Sequence, residues 1–117
     1  MRSSALREMS SRRYRVIWTE TASRDLEGIV AYIAADSRQQ AKKILKPIRG
    51  KTAARRSSSS RGRIVPELLN FNLRSWREIV LSPWRIVYRV EGNLVFVDSI
   101  IDGRRDVEEV LMRRLLR

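Results

Sequence analysis

The sequence contains no cysteine and no histidine. The lack of cysteine excludes disulfides, thiolate catalysis and cysteine-ligated metals. Without histidine as well, the chain lacks the two side chains that most often hold zinc, and a typical iron site is equally unsupported. We therefore expect neither a metal nor a cofactor. Any proton transfer must rest on carboxylates, lysine or tyrosine, since arginine holds its proton too tightly.

Long apolar runs are also absent. No stretch approaches the roughly 20 residues needed to span a bilayer, and no apolar signal-peptide core follows Met1. The chain has 117 residues, 43% of them hydrophobic, which suits one domain with one core. We predict a cytoplasmic protein with a disordered basic tail at residues 1–13, where arginine and serine occur without periodicity, and a single domain at 14–117.

Acidic residues are scarce. Asp and Glu number 13 against 25 Lys and Arg, which gives a net charge of +12. Such a balance is typical of proteins with a polyanionic partner, such as nucleic acid, a ribosome or an acidic protein. Residues 42–63 hold nine basic residues and no acidic one. This run has two interpretations, a solvated mobile loop or an electrostatic arm for phosphate, and the two are compatible.

The apolar pattern predicts the element order β-α-α-β-β-β-α. A β-branched and aromatic strand at 14–18 is followed by two helical stripes with a short link, which indicates an antiparallel helical hairpin. Pro47, Gly50 and four serines interrupt the second helix, so we predict a basic loop at about 50–61. The predicted class is α+β, an N-terminal strand and an α-helical hairpin packed on a small antiparallel sheet. The remaining elements are strands at 76–81, 84–90 and 94–101 and a helix from 105 onward.

Arginine alternates with aliphatic residues along the strand predicted at 84–90. Side chains alternate between the faces of a strand, and the apolar face must meet the helices, so Arg85 and Arg89 are expected on the open face. Arg104 and Arg105 follow the last strand and are within reach of the same surface, whereas the face of Arg77 depends on strand register. Clustered arginines suit phosphate, because the guanidinium is planar, bidentate and permanently charged.

A ribonuclease would need more than this positive charge. Cleavage of RNA by its own 2′-hydroxyl requires a proton acceptor and a donor as well as charge to stabilise the phosphorane. Glu67 follows Pro66 in an irregular segment and is the freest carboxylate for such a role. The competing interpretation is a plain salt bridge between Glu67 and a nearby arginine.

Three motifs occur in order in the second half of the chain: GRIVPE at 62–67, PWRIVYRV at 83–90 and GRRD at 103–106. Together they resemble toxins of the RelE/ParE superfamily, the toxin halves of bacterial type II toxin–antitoxin pairs. Residues 14–36 also resemble the opening strand and helical hairpin of that superfamily. The resemblance covers most of the chain and implies the same β-α-α-β-β-β-α fold.

The resemblance implies one of two activities. ParE-like members arrest growth by poisoning DNA gyrase, and RelE-like members are ribosome-dependent endoribonucleases that cut messenger RNA. The RelE-type arginines would correspond here to Arg85 and to Arg105 or its neighbour Arg104. RelE-like members often carry a tyrosine or histidine near the C-terminus, where this chain has Val110 and Leu111. That difference favours the ParE-like branch.

We therefore predict the toxin of a type II, plasmid-stabilisation-type system that arrests growth by binding DNA gyrase. A RelE-like ribonuclease is the first alternative and a non-toxic nucleic-acid-binding module the second. The implied partners are an acidic antitoxin, in a hetero-oligomer, and either gyrase or the ribosome with messenger RNA, with no membrane. The catalytic candidates, for the ribonuclease only, are Arg85, Arg105 and Glu67, and the predicted target-binding residues are Arg63, Arg77, Arg89 and Arg104.

Overall fold

The computed structural model describes residues 13–56 and 62–115. It confirms the predicted α+β class and adds two short elements, a strand and a helix, to the segment around Pro66. The predicted tail, apart from Arg13, and the serine run of the predicted loop lie outside the described residues. The elements are β1 (Arg15–Trp18), α1 (Glu20–Asp36), α2 (Arg38–Ala53), a 3₁₀ turn (Ala54–Arg56), β2 (Arg63–Ile64), α3 (Pro66–Leu69), β3 (Trp76–Leu81), β4 (Trp84–Glu91), β5 (Leu94–Asp102) and α4 (Val107–Leu115).

The strands form one five-stranded sheet in the order β1-β5-β4-β3-β2. β3, β4 and β5 pair antiparallel as predicted, and β2 extends the antiparallel part at one edge. β1 lies at the other edge and runs parallel to β5, with Val16 opposite Val95. A parallel neighbour requires a long crossover, which the helical hairpin and the intervening strands supply. The sheet is therefore mixed, where the sequence had suggested only antiparallel pairing.

Both faces of the sheet are covered. On one face, the helical hairpin forms the hairpin-side core, in which Leu26 and Ile48 pack with Ile86 of β4. On the other face, α3 and α4 form a second core around Val87. The prediction that Arg85 and Arg89 lie on an open face is therefore wrong. The apolar stripe of α4 needs a partner, and Val87 and Ile101 supply one on that face; the second core contains Val65, Leu68, Val87, Ile101, Val107, Val110 and Leu111.

Two hydroxyl side chains start the helices of the hairpin. The Thr19 hydroxyl accepts a hydrogen bond from the Ala22 amide at 3.1 Å and donates to the Val97 carbonyl at 3.1 Å. Ser37 caps α2 by accepting from the Gln40 amide at 3.2 Å. Each cap satisfies an amide that the first helical turn leaves unpaired. Thr19 also fixes α1 against β5, which positions the hairpin over the sheet.

The second helix extends beyond residue 50, where the loop was predicted to begin. α2 continues to Ala53, with Pro47 inside it, and the 3₁₀ turn follows directly. The predicted loop is thus wrong for residues 50–56. Proline inside a helix costs about 3 kcal/mol, because it removes a backbone donor and clashes with the preceding turn. Burial of Ile48 and Thr52, one and five positions further on, offsets that cost here.

Replacing Pro47 with alanine should raise the free energy of unfolding by about 1 kcal/mol or more. The new amide restores a helical donor, and Pro47 is exposed, so little packing is lost. Urea unfolding followed by circular dichroism measures the change. A variant less stable than the parent would mean that Pro47 contributes packing against the neighbouring turn that outweighs the helical penalty.

Candidate functional site

Four charged residues gather on the face of the sheet covered by α3 and α4, and we call them the Glu78 cluster: Arg63, Glu67, Glu78 and Arg85. Glu78, in β3, is fully buried and accepts from Arg63 Nε at 2.5 Å and from Arg85 Nε at 2.6 Å. Arg85, in β4, also donates through Nη1 and Nη2 to both oxygens of Glu67 at 2.6 and 2.5 Å. The cluster thus alternates sign along its length, and two carboxylates balance two guanidinium groups.

The contacts within the cluster stabilise the charged forms of both Glu67 and Arg85. The hydrogen bonds from Arg85 lower the pKa of Glu67 below its usual value, although burial acts in the opposite direction. The pKa of Arg85 is raised, chiefly by its hydrogen bonds to Glu67. A carboxylate with a lowered pKa is a weak proton acceptor near neutral pH. Glu67 and Arg85, two of the catalytic candidates, are therefore brought together, but in the salt-bridge arrangement that competed with catalysis for Glu67.

The third catalytic candidate lies elsewhere. Arg105 is exposed after β5 and lines a cleft of about 530 Å³ with Tyr32 and Trp84, on the side of the helical hairpin. Arg85 projects from the opposite face of the sheet, into the Glu78 cluster. The two arginines suggested by the RelE-type resemblance therefore do not converge on one phosphate position in this structure.

The remaining predicted binding arginines have partners within the chain. Arg104 is paired with Asp102 through two side-chain hydrogen bonds, and this pairing lowers the pKa of Asp102 to about 2. Arg77 donates to the Gly62 carbonyl at 2.8 Å. Arg89 donates to Asp98 at 3.0 Å and lies over the Phe96 ring at 4.3 Å, and it also forms an ion pair with Glu91. Each of these guanidinium groups therefore has at least one partner within the described part of the chain.

Another ionic group, which sequence reasoning missed, joins the two layers of helices. Asp25 of α1 accepts the Ile100 amide of β5 at 2.9 Å, beyond the last residue of β1 that pairs with this strand. Arg114 of α4 donates to both oxygens of Asp25 at 2.8 and 2.9 Å, and to the Ser99 hydroxyl at 2.9 Å. No local pattern points to a contact between residues so far apart in the chain. The group fixes α4 over the second core.

The sequence does contain a signal for two other acidic residues that pair with arginines. Glu78 and Asp98 stand inside otherwise apolar strands, WREIVL and LVFVDSII, where an unpaired carboxylate would be costly. Asp98 accepts from Trp76 Nε1 at 3.0 Å and from Arg89, while burial raises its pKa. An acidic residue within an apolar strand therefore indicates a buried cationic partner, and both strands lie beside arginine-bearing neighbours.

Unpaired positive charge is concentrated on α2. Its five basic side chains between positions 42 and 51 are exposed and form no ion pair among the described residues, and the helix itself contains no acidic residue. Like charges this close repel one another and create a positive potential that attracts polyanions. This surface can bind a polyanion, whereas the Glu78 cluster is already neutralised by its own contacts. We call it the basic strip: Lys42, Lys43, Lys46, Arg49 and Lys51.

The described residues contain neither a candidate metal site nor a helix that could span a membrane. Residues 13–56 and 62–115 contain no group of three or more acidic side chains placed to hold a metal ion, and histidine and cysteine do not occur in the sequence. None of the helices described is both long enough and apolar enough to cross a bilayer.

Comparison with known proteins points to one family. The model of the family described as the ParE toxin of type II toxin-antitoxin systems, parDE, matches residues 16–107. Among solved structures, the chromosomal ParDE toxin–antitoxin system from P. aeruginosa has a chain similar to this one, with a TM-score of 0.63 and 21% identity. The similarity covers 79% of this chain and 98% of that chain, and at this identity it supports the fold. The curated proteins contain no significant match.

Proposed function

This chain belongs to the ParE toxin family of type II toxin–antitoxin systems, and we propose that it arrests growth by binding DNA gyrase. The superfamily inferred from the sequence motifs is thereby confirmed, and an antitoxin is implied as the partner. Gyrase is the target that the ParE-like resemblance implies. The observation that carries the choice of target is the Glu78 cluster, in which Arg85 and Glu67 neutralise each other.

A binding toxin agrees with the chemistry of these residues better than a ribonuclease does. RNA cleavage would need a free base near an unpaired cation, whereas Glu67 has a lowered pKa and Arg85 is nearly buried between two carboxylates. Arg105 lies on the other side of the sheet from Arg85. A toxin that acts by occupying a large target needs surface charge and shape instead, and the basic strip offers that charge.

We further propose that the antitoxin is acidic and forms a hetero-oligomer with the toxin. The net charge of +12 makes the free toxin attractive to any polyanion, so a partner of opposite charge would gain both affinity and association rate. A short acidic reading frame beside this one would encode the natural candidate. Coexpression should then yield a soluble complex whose formation weakens as salt is raised.

Growth after induced expression tests the proposed target. We expect arrest without new transcript 5′ ends inside coding sequences, and we expect the purified full-length chain to inhibit DNA supercoiling by purified gyrase. The control is coexpression with the neighbouring acidic frame, which should restore growth. Arrest accompanied by ribosome-dependent cuts in messenger RNA would instead establish the ribonuclease. A folded, expressed protein that causes no arrest would contradict toxicity of this chain.

A further inference from the structure

A cavity of about 370 Å³ lies where the end of α2 meets the β2 edge of the sheet. Three basic residues line it, one each from α2, the 3₁₀ turn and β2, together with Glu78 of β3. Val80, half-exposed, supplies an apolar rim. We call this cavity the edge notch and define it by Lys51, Arg55, Arg63, Glu78 and Val80.

The charges around the edge notch do not balance. Among the described residues that line it, Glu78 alone is acidic, and its two oxygens already accept from Arg63 and Arg85. Lys51 and Arg55 form no ion pair among the described residues. The cavity is therefore surrounded by more positive than negative charge, in a recess where water screens charge less than at an open surface.

Arg55 gives the cavity a specific donor. Its residue is only 7% exposed, and its Nε hydrogen forms no hydrogen bond within the described structure. Burying an unpaired polar group destabilises the fold, and more so when the group is charged. Arg55 thus places an unpaired, buried guanidinium beside the cavity, and holding it there costs little further side-chain freedom.

We propose that the edge notch binds a phosphate group of a nucleic-acid backbone. Arginine and lysine together suit phosphate, since the guanidinium donates in a fork and the ammonium adds a compact charge. The basic strip continues from the notch along α2, so neighbouring phosphates of the same strand meet further cations. Val80 offers an apolar surface for the adjoining sugar. The proposal concerns direct contact with nucleic acid and does not depend on gyrase being the target.

Inorganic phosphate tests the notch itself. We expect the Arg55 Nε–H signal in an NMR spectrum of the full chain to shift saturably with phosphate and not with chloride at equal ionic strength. Lys51→Gln should abolish the saturable shift. Lys46→Gln removes the same charge from an exposed position on the same helix, outside the notch, and should preserve it. Equal shifts with both anions, or equal behaviour of both variants, would overturn the proposal.

Duplex DNA without gyrase tests the identity of the ligand. For the parent chain, the logarithm of the binding constant should fall linearly with the logarithm of salt concentration, and Lys51→Gln should reduce the slope by about 1. Arg55→Lys, which keeps the charge but changes the donor geometry, should weaken binding without unfolding the chain. Arg113→Gln, on α4, should leave the slope unchanged. Tighter binding of poly-glutamate than of DNA would overturn nucleic acid as the ligand and indicate an acidic protein.

Discussion

Replacing Arg85 with methionine should lower the free energy of unfolding by about 3 kcal/mol. Glu78 has no exposed side-chain surface, and after the replacement it keeps only Arg63, whose own side chain is 60% exposed. A buried carboxylate left with one partly solvated cation loses most of the compensation for its desolvation. Methionine retains the length of the aliphatic part of Arg85, so the loss reports the ionic contacts more than the packing.

A double replacement distinguishes the loss of the Arg85 contacts from the cost of leaving the Glu78 carboxylate buried without its main partner. Arg85→Met combined with Glu78→Leu should recover most of the stability, because no carboxylate remains buried and the two outer members, Arg63 and Glu67, can reach water. Arg113→Met is the matched control, since Arg113 is 62% exposed and its pairing with Glu109 is long at 3.7 Å. It should change stability by less than about 0.5 kcal/mol.

Urea unfolding of the four proteins measures these differences. If Arg85→Met were as stable as the parent, the guanidinium would not be needed to balance Glu78. The result also decides how toxicity assays of Arg85 variants are interpreted. A variant that has lost growth arrest because it has lost stability says nothing about catalysis, whereas the stable double variant can be tested for arrest directly.

The surroundings of Arg85 could be predicted from the sequence only in part. Alternation along β4 correctly separated Arg85 and Val87 from Ile86 and Tyr88, and Tyr88 is buried as the pattern required. The alternating pattern could not show that α3 and α4 cover the face of the sheet that carries Arg85. Whether a strand face is open depends on which helix packs against it, and α4 is separated from β4 in the chain by all of β5. Long-range contacts of this kind leave no periodic signal in the sequence.

In the second helix, tertiary packing overrode the local sequence rules. Local rules assigned residues 50–56 to a loop because Pro47, Gly50 and the run of four serines each disfavour a helix. In the structure, Ile48 and Thr52 continue the buried stripe past Pro47, so tertiary packing decides the conformation. The helical hairpin and the antiparallel pairing of β3, β4 and β5 were predictable because each joins elements that follow one another in the chain. The Glu78 cluster and the edge notch were not, since each is assembled from elements far apart in sequence.

Replacing Gly62 with alanine should destabilise the protein by about 3 kcal/mol, at the upper end for an overpacked site. A Cβ atom at this position would overlap the Tyr88 hydroxyl and would lie 2.7 Å from the Glu78 carbonyl oxygen. The backbone cannot easily retreat, because the Gly62 amide donates to Tyr88 at 2.9 Å and its carbonyl accepts from Arg77 at 2.8 Å. Gly28→Ala, in α1 with open space around it, is the control and should stabilise by about 0.5–1 kcal/mol.

The same replacement connects stability with the edge notch. Gly62 precedes Arg63, so an added methyl group that displaces the backbone also moves the guanidinium that holds Glu78 and lines the notch. Tyr88→Phe added to Gly62→Ala should restore only part of the stability, since the contact with the Glu78 carbonyl remains. Both the urea midpoint of unfolding and the affinity for phosphate should be lower in Gly62→Ala, and in Gly62→Ala with Tyr88→Phe, than in the parent. A Gly62→Ala protein with parental stability would refute the close approach, and loss of stability with undiminished phosphate binding would separate Arg63 from the notch.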